Sequence, residues 1–197
     1  MRKICVCKVC AISLVTFVST FVSAQLPSGG NAFFGYSYVH GETFLNNGSV
    51  LAGGNSAGMS GWETSVEGKY LPWLGVVADL GWNYGGHDTK FCVLFTNCKT
   101  FRINASRDTL LFGPRASVMI GRYRPFAEVL LGVGYQSDKG GGISNSDLSF
   151  ALGFGGGVDY HLVRSVSLRG QADVIRTSFF GRSQLDPRIS SGIVFSF

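Results

Sequence analysis

The stretch SVSLRGQADVIRT, residues 165–177, alternates as far as Val174. Val166, Leu168, Ala172 and Val174 fall at one parity, and Arg169, Gln171 and Asp173 at the other. A period of two is that of a β-strand with one apolar and one polar face. The fold turns on which of those faces points inward.

Seven other stretches repeat the pattern: NAFFGYSYVH (31–40), SGWETSVEGKYL (60–71), LGVVADLGWNY (74–84), DTLLFGPRASVMI (108–120), PFAEVLLGVGYQ (125–136), SFALGFGGGVDYH (149–161) and RISSGIVFSF (188–197). Each is near the 9–11 residues of a tilted membrane-crossing strand. The connectors between them alternate in length. Long ones cover 41–58, 85–107, 137–146 and 179–187, and short ones sit at 71–73, 121–124 and 162–164. Long outer loops and tight inner turns are the habit of up-and-down outer-membrane barrels. The sequence therefore predicts an all-β fold, an eight-stranded antiparallel transmembrane barrel over 25–197.

Composition argues the same way. Charged residues make up 15% of the chain, against about 25% in ordinary domains. The start, MRKICVCKVCAISLVTFVSTFVSAQ, has Arg2, Lys3 and Lys8 before an apolar run and ends in Val22-Ser23-Ala24. It reads as a signal peptide, residues 1–24, cut after Ala24; the rival, a retained anchor helix, is short for a bilayer span of about 20 residues. Cleavage removes three of the seventeen Lys and Arg and no acid, so 14 basic residues face 12 acidic ones in the exported chain. That balance does not suit a nucleic-acid partner.

Two barrels remain possible. A water-soluble, lipocalin-like barrel would turn the apolar face inward, and its exterior would need many Lys and Glu. The polar face here is instead Gly, Ser and sparse opposite charges, which suits the cramped interior of eight strands. Trp62, Tyr70, Trp82, Tyr84, Tyr135 and Tyr160 lie near strand ends, where interfacial girdles form. The polar face is therefore expected inside.

The segments GYSYVH (35–40), LLFGPRAS (110–117) and GIVFSF (192–197) resemble the OmpA-like outer-membrane β-barrel superfamily. The resemblance implies location in the outer membrane among lipid and lipopolysaccharide. It also implies that Phe197, with Phe195 before it, is part of a signal read by the barrel-assembly machinery. A peptidoglycan-binding domain does not follow, so a wall-anchoring role is not implied.

Parity gives the expected lumen charges: Glu63, Glu67, Asp79, Glu128, Asp159 and Asp173 against Lys69, Arg115, Arg169 and Arg188. Buried ions must be paired, and Asp79 and Glu128 on the neighbouring strands are the expected partners of Arg115. Such a network either plugs the barrel or gates a narrow ion-conducting, porin-like channel. Cys92 and Cys98, the even pair left after cleavage, read as a disulfide in an outer loop. Lys90, Phe95, Lys99 and Arg102 beside them form a candidate contact site for a surface ligand.

Catalytic, metal and cofactor signals are weak. Of His40, His87 and His161, only His87 has an adjacent acid, Asp88. No His, Cys or carboxylate cluster has metal-ligand spacing, and GFGGG (153–157) lacks the strand-to-helix setting of a dinucleotide site. The expected function is a structural or surface-interaction barrel, not an enzyme, without cofactor.

Overall fold

A computed structural model describes residues 29–43, 46–47, 50–51, 55–93, 97–140, 143–181 and 183–197, with side chains outside 42–57, 87–103, 140–143 and 180. The expected signal peptide lies outside these residues.

Eight strands form a closed barrel: β1 (Gly30–Thr43), β2 (Asn55–Lys69), β3 (Leu74–Val93), β4 (Asn97–Ser117), β5 (Tyr123–Gly140), β6 (Ile143–Val163), β7 (Val166–Thr177) and β8 (Gln184–Ser196). Each pairs antiparallel with its chain neighbours, and β1 pairs with β8. Closure joins the first strand to the last, the condition for β-structure to cross lipid.

The inner rim carries the tight turns. Pro72 presets the backbone of the turn that Leu71 and Leu74 close by mutual hydrogen bonds of 3.0 and 3.3 Å. Gly121, at φ 63°, starts the two-residue turn between Ile120 and Tyr123, where a positive φ matches the strand twist. Arg164 and Ser165 make the third turn, between the paired Val163 and Val166.

Side-chain polarity is inverted relative to a water-soluble domain. Phe34, Trp62, Phe112, Leu131, Phe154 and Phe195 are each half or more exposed, whereas Glu63, Asp79, Arg115 and Arg188 are at most 1% exposed. The alternation read from the sequence thus resolves as apolar outside, polar inside. A belt of apolar side chains around a closed barrel is stable against lipid and not against water.

Strand lengths depart from expectation. β3 and β4 run on as a hairpin to Val93 and Asn97, and β5 and β6 meet across 141–142, so most of the expected loops 85–107 and 137–146 are strand. Gly, Asn and Ser weaken strand propensity there, but each residue gains a cross-strand ladder partner.

Candidate functional site: the lumen

Three polar layers and apolar blocks fill the barrel. In the central layer Arg188, on β8, reaches across the lumen. Its Nη1 donates to Asp79 Oδ1 at 2.8 Å, its Nη2 to Asp173 Oδ2 at 2.9 Å, and its Nε lies 3.3 Å from Glu63 Oε2. Glu63 also accepts from Gln171 Nε2 and Ser190 Oγ. Four strands therefore converge on one guanidinium, whose rigid fork serves several carboxylates at once.

The inner layer is built around Arg115 and Arg124. Arg115 Nε donates to Glu128 Oε2 at 2.7 Å, and its Nη1 lies 3.6 Å from Glu67. Arg124 Nη2 donates to Glu67 Oε1 at 2.9 Å, and Asn31 Nδ2 to Glu67 Oε2 at 2.7 Å. Beside them Arg169 grips Asp159 with two bonds of 2.6 and 2.9 Å. The Arg115 and Arg169 guanidiniums lie 4.4 and 4.6 Å from the Phe126 ring centroid, so their faces are covered as well as their edges.

Toward the outer rim, Arg107 Nη1 lies 2.5 Å from Asp186, and its Nη2 donates to Gln136 Oε1 at 2.7 Å. Gln136 Nε2 in turn donates to Asp138 at 2.9 Å. Phe179, fully buried, packs under the Arg107 guanidinium at 5.3 Å. Val77, Leu111, Leu130, Ala151 and Ile175 form one apolar block, and Val39, Met59 and Ala105 another.

Nine of the ten expected lumen charges thus meet in ion pairs. Lys69 lies on the inner face at the end of β2, half-buried, with no ion pair among the described residues. Asp79 is not a partner of Arg115, contrary to expectation. The β3–β4 register sets Arg115 opposite Gly75 and Asp79 opposite Leu111, so Asp79 sits higher and meets Arg188.

Arg107, Arg124, Asp138 and Asp186 were not among the expected residues, because they lie in stretches read as loops or turns. Their parity carries the signal: 107 matches 109 and 115, 124 matches 128, 138 matches 136, and 186 matches 188. The β3–β4 register sets Cys92 opposite Cys98 and Lys90 opposite Thr100. The side chains of Cys92, Cys98, Lys90, Lys99, Arg102 and His87, and Phe95 altogether, lie outside the described residues.

One Ser–His contact had no sequence signal: Ser167 Oγ lies 2.7 Å from His161 Nδ1 across the β6–β7 ladder. Ser167 is 1% exposed, so its hydroxyl does not meet a substrate as a nucleophile must.

A closed antiparallel barrel, apolar without and ion-paired within, defines a membrane-spanning β-barrel protein. No protein family and no curated protein matches the chain by sequence. Solved structures match its fold. Ail, the attachment invasion locus protein of Yersinia pestis, in complex with the heparin analogue sucrose octasulfate, is 15% identical at a TM-score of 0.54, over 85% of this chain and 99% of that one. The outer membrane protein OprG from Pseudomonas aeruginosa is 12% identical at 0.54, over 88% and 97%. Neisserial surface protein A is 15% identical at 0.51, over 84% and 97%. The fold is the one these small outer-membrane barrels share.

Proposed function

We propose that the chain, exported by a signal cut after Ala24, is a closed outer-membrane barrel with a structural or surface-interaction role. The observation that carries this reading is Arg188, 1% exposed and shared by Asp79, Glu63 and Asp173 in mid-lumen. Opening a path for ions would strand those carboxylates, at several kcal/mol for each unpaired buried ion.

The β3–β4 hairpin supports the surface role. It reaches far beyond the short turns of the opposite rim and bears Lys90, Lys99 and Arg102. A ligand for those cations would be anionic, and a sulfated sugar analogue is what the Ail structure holds. Among the described residues, the Ser167 hydroxyl beside His161 is buried.

Purified full-length protein in planar bilayers tests the closed lumen. The expected trace shows no steps above baseline. Regular single-channel openings, altered by Arg188→Ala, would replace this reading with the narrow porin-like channel.

A further inference from the structure

The seam between β1 and β8 is incomplete. Its ladder runs from Asn31 opposite Ser196 to Val39 opposite Arg188 and stops there. Yet β1 continues to Thr43 along β2, and β8 begins at Gln184 along β7. Pro187, the first residue of β8 beyond the last pair, has no N–H to offer. A cleft of about 460 Å³ occupies the gap, lined by His40, Gly41, Arg176 and residues 183–187.

Two groups in this cleft lack partners. Gln184 is 6% exposed, and among the described residues neither its Nε2 nor its Oε1 makes a hydrogen bond. Buried amides are rarely left so. Arg176, exposed, donates Nε to Ser183 Oγ at 3.1 Å, and its two Nη groups have no partner among the described residues. At the back, a Cβ on Gly41 would lie 2.6 Å from Arg107 Nη1 and 2.9 Å from Asp186 Oδ1. Glycine there lets the Arg107–Asp186 pair form the rear wall and leaves the cleft free.

The height of the cleft selects its ligand. Tyr38 and Ile189, 41% and 62% exposed, are paired on the apolar belt just below His40, and Arg176 lies opposite Leu185 in the belt's outer part. A long cationic side chain there can lie along the apolar surface and extend its guanidinium toward the headgroups. Free guanidinium nitrogens match phosphate oxygens. An amide needing both a donor and an acceptor matches a sugar hydroxyl or another amide. Leu185, 67% exposed beside them, offers an acyl chain an apolar track.

We infer that this cleft binds the headgroup of a phosphorylated glycolipid of the outer leaflet, with phosphate on Arg176 and His40 and a sugar group on Gln184. The inference rests on the outer-membrane reading and adds a lipid site to it.

The test is native mass spectrometry of the delipidated full-length protein with three probes: diphosphoryl lipid A, dioleoyl phosphatidic acid, and glucosamine 6-phosphate. Lipid A is expected to bind one per barrel, at least tenfold tighter than either other probe. Arg176→Ala and Gln184→Leu should each weaken it at least fivefold, and Lys139→Ala, an exposed cation elsewhere on the outer rim, should not. Should Gln184→Leu fail to fold, the exposed Arg176→Ala carries the test. Unchanged binding in Arg176→Ala, or an equal loss in Lys139→Ala, would overturn the site. Equal affinity for phosphatidic acid would make it unselective annular lipid, and equal affinity for glucosamine 6-phosphate a soluble-ligand site; either defeats the inference. A barrel that conducts ions yet holds lipid A at Arg176 loses only the closed-lumen reading.

Discussion

Arg188 meets three carboxylates from three other strands, so it acts as a cross-brace whose removal leaves several like charges together. Arg188→Met is expected to cost about 3–5 kcal/mol, and combining it with Glu63→Gln, Asp79→Asn and Asp173→Asn to recover much of that loss. Heat-resistance of gel mobility measures both. Arg115 gives a sharper discrimination. Arg115→Ala should destabilise by about 3–5 kcal/mol, and adding Glu128→Ala should restore part of it. Adding Asp79→Ala should make matters worse, because Asp79 is bonded to Arg188. Parity revealed which charges share a face, and the small residues on that face pointed it inward. It could not reveal who meets whom, since Arg188 and Asp79 are 109 residues apart and their heights follow from strand stagger.

Among the elements, the β3–β4 hairpin and the β1–β8 seam carry the next expectations. Directly opposed residues of an antiparallel pair have Cα atoms about 4.5–5.5 Å apart, within the span a disulfide bridges. Cys92 and Cys98 are therefore expected to be bridged in exported protein, with no maleimide uptake before reduction; labelling of both thiols would refute it. At the seam, Gly30 N donates to Phe197 O at 2.8 Å, and Phe197 N to Gly30 O at 3.0 Å. Phe197→Asp leaves both backbone bonds possible, so a fall in assembled barrel in vivo would report on the side chain as a signal. Normal assembly would remove that role. Element existence was legible because alternation survives from Phe33 to Phe197. Element length was not, because Gly85, Gly86, Ser137 and Gly140 carry turn-like chemistry while the ladder continues through them.

As a whole molecule, the barrel has every strand hydrogen-bonded on both sides through most of its length. Unheated samples in detergent should migrate apart from boiled ones, and the protein should fractionate with the outer membrane. Recovery from the periplasm as a freely dissolved monomer would contradict the membrane placement of its apolar face. Inverted polarity was readable because small residues and paired charges crowd one parity. The seam cleft was not, since it arises where two strands distant in sequence part company.

Pairing Asn31 with Ser196 makes the first strand depend on the last, 165 residues later. At ~5–20 residues per second of synthesis, the partner of β1 does not exist for roughly 10–30 s after β1 itself has been made. Throughout transit the chain must be escorted unfolded, and a truncated copy has two raw edges with nothing to join them. Closure of the wall therefore waits on the last strand, and a chain that stops short of it cannot form the circle.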